Sequence, residues 1–142
     1  MKGDFQMSTE RYAKGLEKLK ELTIPDGENV TGHMDIGKGF ADVAPDLEKY
    51  VVEFAFGDIY ARPGIDNKQK VLTTISALVA QGTPQIGMHV KTGLVVGLTP
   101  DEIIGCIMHL IPYVGFPRAL NALKVAQVVF KEEGISVTIP DA

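Results

Sequence analysis

A chain of 142 residues with 45% hydrophobic and 23% charged side chains has room for one core of ordinary size, and this mixture excludes disorder and a fibrous repeat. Eighteen acidic against fourteen basic residues give a formal charge of −4, without the basic face that draws nucleic acid. The single cysteine cannot close an internal disulfide, the first residues lack a signal-peptide core, and no apolar run nears the ~20 residues that span a bilayer. A cytoplasmic protein with neither a nucleic acid nor a membrane as partner is expected.

In chain order, Ser8 is placed to cap an amphipathic helix using Tyr12, Leu16 and Leu19, within a helical N-terminal extension over about residues 1–44. Pro25 to Gly39, with four glycines and few apolar anchors, reads as a loop with a helical turn. Pro45 starts a helix through Phe56 with Leu47, Val51, Phe54 and Ala55 on one side, and Glu53 interrupts its apolar run. After the turn-rich segment from Tyr60, Asp66 caps a helix from Asn67 to about Gln81 with Val71, Leu72, Ile75, Leu78 and Val79 at helical spacing.

Thr83-Pro84 and Thr99-Pro100 both read as an N-cap followed by a proline at the first helical position. The second pair adds Glu102 for a capping box. Gly97 closes the helix that Thr83 opens, and Gly134 closes one that begins near Pro117 and passes through Lys131. Ile135 to Pro140 is expected to be an extended tail. The sum is an all-α single domain over 1–142 with about six helices, in which Asn67–Gln81, Thr83–Val96 and Thr99–Ile111 form an array joined by short turns.

Among residues able to carry chemistry, His89 lies in a helix that also holds Gly87 and Gly93, gaps that mark a close approach by a backbone or a ligand. A histidine there either faces a pocket or is a hydrogen-bonded core residue. Cys106 and His109 stand three apart on one helix face, close enough for the imidazole to lower the thiol pKa and make a redox centre, or for Cys106 to be a buried, inert thiol. No metal is expected, because His33 is the remaining histidine and the zinc-ligand spacings are missing. Arg62, Lys68 and Lys70 offer cations around one helix start, and the turn Pro112 to Arg118 joins the last two helices with an aromatic, a glycine, two prolines and an arginine.

Taken together, Phe54-Ala55-Phe56-Gly57-Asp58-Ile59-Tyr60-Ala61-Arg62-Pro63-Gly64, His89 followed by Gly97-Leu98-Thr99-Pro100-Asp101-Glu102-Ile103, and Tyr113-Val114-Gly115-Phe116-Pro117 resemble the carboxymuconolactone decarboxylase family. The resemblance runs from about Val51 to Val128 and implies an all-α fold assembled as a homotrimer or homohexamer. In the alkylhydroperoxidase-like branch, cysteines precede the helix histidine by seven and four residues and a glutamate by nineteen; here Gly82, Gln85 and Lys70 occupy those positions.

The decarboxylase branch fits better and implies a small anionic substrate: a lactone with two carboxylates, one lost as carbon dioxide without any cofactor. That resemblance implies carboxylate binding by Arg62 and Lys70, with Arg118 as a further substrate-binding candidate, proton supply or relay by His89, and a donor at Tyr113. A thiol-dependent peroxidase using Cys106 with His109 and a non-enzymatic binder of a small anion are the alternative readings.

Overall fold

The computed structural model describes residues 9–23 and 38–137, and these fall into two compact units, one ending at Gly64 and the other starting at Ile65. In the first unit, helix α1 (Glu10–Leu22) is capped by Thr9, whose hydroxyl accepts from the Tyr12 N–H at 3.0 Å. The expected cap, Ser8, lies outside the described residues, as does the expected loop from Pro25 apart from Lys38 and Gly39. Helix α2 (Leu47–Tyr50), with Asp46 rather than Pro45 at its start, runs directly into a ten-residue π-helical segment, Val51–Tyr60.

That segment turns a different face inward from the one expected. Val52, Glu53, Phe56 and Gly57 are buried, Val51 and Ala55 are half-buried, and Phe54 is 56% exposed. The expectation assumed 3.6 residues per turn, whereas a π-helix bonds i to i+5 and rotates each successive residue less about the axis. Buried positions paired at 52/53 and 56/57 follow the wider turn. Against them lie Gly15, Leu19 and Leu22 of α1. The contact needs glycine on both sides: a Cβ on Gly15 would run into the Val52 carbonyl oxygen, and one on Gly57 into the Arg11 carbonyl oxygen. Backbone thus meets backbone, closer than any side chain would allow.

In the second unit, α3 (Asn67–Gln81) opens on a reciprocal capping box: the Gln69 N–H donates to the Asp66 carboxylate at 2.8 Å and the Asp66 N–H to the Gln69 side-chain oxygen at 3.0 Å. It buries Val71, Ile75 and Val79, leaving Leu72 and Leu78 half-buried. It ends at Gly82, whose φ of +68° carries the chain into the left-handed region. Helix α4 (Ile86–Val95) starts later than Thr83-Pro84 suggested. The Thr83 N–H and hydroxyl both donate to the Leu78 carbonyl, at 3.2 and 3.5 Å, so this residue closes α3 instead of opening α4.

Thr99 does open α5 (Pro100–Val114), with its capping box to Glu102 formed at 3.1 and 3.0 Å. This helix passes through Pro112, where the expected boundary at Ile111 would have ended it. Pro112 and Met108, whose carbonyl loses its N–H partner, both lie on the exposed side, where the ring is tolerated. Gly115, φ +87°, is then the single residue before α6 (Phe116–Glu132). The expected turn from Pro112 to Arg118 is therefore the meeting of two helices and not a loop.

The core of this unit is Val71, Ile75 and Val79 of α3, Ile86 and Val90 of α4, Ile103 and Ile107 of α5, and an alanine-rich stripe of α6 ending in Val129 and Phe130. Short Ala119, Ala122 and Ala126 bring α6 close to its neighbours. The described residues contain six α-helices and the π-helical segment, with no strand; Ile135 to Val137 are non-helical, and the rest of the expected tail lies outside the described residues. No helix among them is long and apolar enough to cross a membrane.

Candidate functional site

His89 sits in the second turn of α4, half-buried, with its Nδ1 atom closed off from solvent. Burial pushes its pKa below the ordinary 6.5, because an imidazolium there loses hydration. The imidazole is accordingly neutral at pH 7. The glycine gaps beside it are filled by protein: a Cβ on Gly87 would stand 3.3 Å from Val125, and one on Gly93 3.1 Å from Leu98. They permit helix packing, so the gap argument for a pocket at His89 does not hold.

The cations are distributed unequally. Lys70 is half-buried on α3 of the second unit, whereas Arg62 is exposed in the first unit, with Nη1 3.5 Å from the Pro63 carbonyl. Lys68 lies beside Gly97 and, with the Thr99 amide bond as the larger cause, helps hold the Glu102 carboxyl below the usual range. Arg118, in the first turn of α6, donates from Nη1 to the Ala80 carbonyl near the end of α3. It lines a cavity of about 270 Å³ at the α3–α4 turn. A larger groove of about 700 Å³ lies along α6, with Lys124 and Lys131 on its walls. Neither His89, Lys70 nor Tyr113 lines these two cavities.

Tyr113 is 75% exposed near the end of α5, its ring 5.7 Å from that of His109. That contact turns His109 toward Tyr113. The Cys106 thiol faces α3 instead, 3.4 Å from the Ser76 hydroxyl and 4.0 Å from the Leu72 carbonyl. Because the Ser76 hydroxyl proton goes to the Leu72 carbonyl at 2.8 Å, the thiol proton is directed toward α3, where the Ser76 oxygen and the Leu72 carbonyl can accept it. Two residues on one helix face thus have different partners, and no thiol–imidazole hydrogen bond forms between them. No group of three or more histidine, cysteine or acidic side chains able to hold a metal occurs among the described residues.

The residue that sequence reasoning passed over is Glu53. It is 5% exposed in the π-helical segment, accepts from the Thr9 hydroxyl at 2.6 Å, and has Arg11 Nη1 at 3.7 Å. Arg11 in turn forks onto Asp58 at 2.6 and 3.1 Å, which holds the Asp58 carboxyl low and the guanidinium pKa high. Tyr12 is raised by burial and by Glu48 at 3.4 Å. The signal was available: a lone carboxylate inside the apolar run Val51 to Phe56.

Residues 45–128, which include the His89 helix and the residues around Arg62 and Arg118, match the carboxymuconolactone decarboxylase family. The chain is 30% identical over 131 residues to a 4-carboxymuconolactone decarboxylase of Acinetobacter baylyi, covering 89% of this chain and 92% of that one. It is 34% identical over 104 residues to an uncharacterised 15.0 kDa protein of Paracoccus denitrificans, covering 71% of this chain and 77% of that one. It is 31% identical over 81 residues to a nitrosuccinic acid decarboxylase of Metarhizium robertsii, covering 56% and 57%. The all-helical architecture and this near full-length likeness agree with the resemblance carried by the motifs around Arg62, His89 and Tyr113, and the chain belongs to the carboxymuconolactone decarboxylase family.

Proposed function

We propose that the protein is a cofactor-free carboxy-lyase acting on a small dicarboxylate, a carboxylated lactone of the 4-carboxymuconolactone kind, in aromatic-compound breakdown. The observation that carries this reading is the match over most of both chains to a protein named for that reaction. A second relative is named for decarboxylating nitrosuccinic acid. The two substrates share one feature: a departing carboxylate conjugated to an electron sink, a lactone carbonyl through a ring double bond in one case and a nitro group in the other.

In the lactone, the bond between ring carbon and carboxylate breaks, and its electron pair passes through the double bond onto the carbonyl oxygen. The resulting oxyanion is quenched by a proton on ring carbon as carbon dioxide leaves. A cation held on the departing carboxylate would favour the reactant over the transition state, since that charge moves away. Cations therefore belong on the retained carboxylate and beside the developing oxyanion. Lys70 and Arg118 are assigned these roles, with Tyr113 as a donor to a substrate oxygen.

His89 moves the proton. It is neutral in the free protein, and a bound dianion raises its pKa by favouring the imidazolium, so substrate and proton arrive together. The pH profiles then have a definite order. kcat/KM falls as pH rises through the lowered pKa of the free protein, and kcat falls at a higher pH, where the bound complex titrates.

The direct test is carbon dioxide release by the purified protein from 4-carboxymuconolactone and from nitrosuccinate, side by side. Release from the lactone confirms the reading, release from nitrosuccinate alone moves it to the other electron sink, and release from neither overturns it. Self-association as a homotrimer or homohexamer is part of the proposal, read by light scattering in solution.

A further inference from the structure

The cavity at the α3–α4 turn has a chemistry that the rest of the chain does not explain. Its volume of about 270 Å³ corresponds to about nine water molecules at ~30 Å³ each. Leu78, Ile86 and Val125 give it an apolar body, and Thr83, Arg118 and Asn121 supply its polar side chains. Arg118 is the sole charged residue among those lining it, and among the described residues it has no ion-pair partner. The residue is solvent-exposed, so its charge is open to an anion from outside.

The guanidinium is also held in place. One of its five N–H donors goes to the Ala80 carbonyl, and its Nε passes 3.6 Å from where a Cβ on Gly82 would stand. Asn121 lies one turn further along α6, on the same side, adding amide donors next to the charge. The Thr83 hydroxyl proton is directed to Leu78, leaving Arg118 and Asn121 as the side-chain donors to an occupant. Two adjacent donors, one charged, above a compact apolar chamber match a carboxylate carried on a short arm from a small ring.

We propose that this cavity is a carboxylate subsite, with Arg118 and Asn121 as the residues that determine its specificity, and that it holds the retained acid group of the substrate. Ile86 lines the cavity and His89 follows it on α4 at the i, i+3 spacing that places Cβ atoms roughly 5–6 Å apart. An acid anchored by Arg118 thereby lies about one helical turn from His89, which does not itself line the cavity. The link to the substrate rests on the decarboxylase reading; the affinity for a ring carboxylate does not.

The experiment is calorimetric titration of the full chain with cyclopentylacetate and, in parallel, cyclopentylacetamide, whose shape is similar and charge absent. The carboxylate is expected to bind at least about tenfold more tightly than the amide, and Arg118→Gln to remove that preference, as loss of a charge-assisted bond implies. Asn121→Leu and Val125→Phe keep both partners of the Arg118 bond to Ala80 in place. The first is expected to weaken carboxylate binding by about threefold, and the second to fill the chamber and abolish binding of both probes.

Equal affinity for the two probes, or carboxylate binding unchanged in folded Arg118→Gln and in Val125→Phe, overturns the subsite. Carboxylate binding with the expected losses, in a protein that releases no carbon dioxide from either substrate, upholds the subsite while the decarboxylase reading fails. Full lactone turnover in Arg118→Gln overturns the assignment of this cavity to the substrate's retained acid, while the decarboxylase reading stands.

Discussion

Each unit of the chain takes an ionisable side chain out of water, Glu53 fully and His89 by half. In the first, Glu53 is enclosed with a hydroxyl bond from Thr9 and Arg11 close by, and Arg11 is itself fixed by Asp58. In the second, His89 is pushed by burial toward its neutral form. Glu53 is bonded into the scaffold, while His89, whose protonation is moved by its surroundings, is poised to take up a proton when an anion arrives. Sequence alone makes the two look alike, one polar residue among apolar neighbours.

The sharpest way to break the scaffold side of this contrast is Gly15→Ala. The added Cβ meets the Val52 carbonyl, so α1 is pushed off the π-helical segment. A loss of roughly 1–3 kcal/mol or more is expected, typical of overpacking against backbone, read as a lower denaturant midpoint. An unchanged midpoint would mean that α1 does not dock through this contact.

Next in size is Glu53→Ala, which deprives Thr9 of its acceptor and Arg11 of its second carboxylate neighbour; about 1–3 kcal/mol is expected for a buried, hydrogen-bonded side chain. A double-mutant cycle with Thr9→Ala should show most of that loss as coupling between the pair, and additive losses would contradict the network.

The His89 side predicts a pH effect of definite sign. The unfolded chain binds more protons than the folded one between the lowered pKa and 6.5, so stability rises with pH across that window and is level above it. Thermal melts should show this rise in the parent and not in His89→Gln. The smallest effect is expected from Cys106→Ser: with the thiol bonded toward Ser76 and not toward His109, carbon dioxide release should stay within about twofold of the parent, under 0.5 kcal/mol of barrier. A large loss would restore the thiol to the chemistry.

What could be read from sequence was local. Thr99 with Glu102 forms the capping box read from its three-residue spacing, and Asp66 caps its helix as expected, with Gln69 completing a second box that the reading did not name. The same logic misplaced Thr83, because its bonding partner is the preceding helix and not the following one. Pro112 was read as a breaker, although its exposed side of α5 accommodates it. Glu53 was missed because the helical face was drawn at 3.6 residues per turn through a segment that winds more widely. His89 and the cations were legible as residue types through their resemblance to the family. The contact of Arg118 with Ala80, thirty-eight residues away, and the cavity it borders arise from packing between helices, which spacing along the chain does not encode.

The central claim, that a half-buried imidazole moves the proton in a decarboxylation, is tested most directly by carbon dioxide release from 4-carboxymuconolactone by His89→Ala beside the parent. The account predicts a fall of at least about 100-fold, the range of acid–base catalysis by a positioned side chain, with the melting temperature held near the parent's. Turnover within about threefold of the parent, less than 1 kcal/mol of barrier, would contradict it.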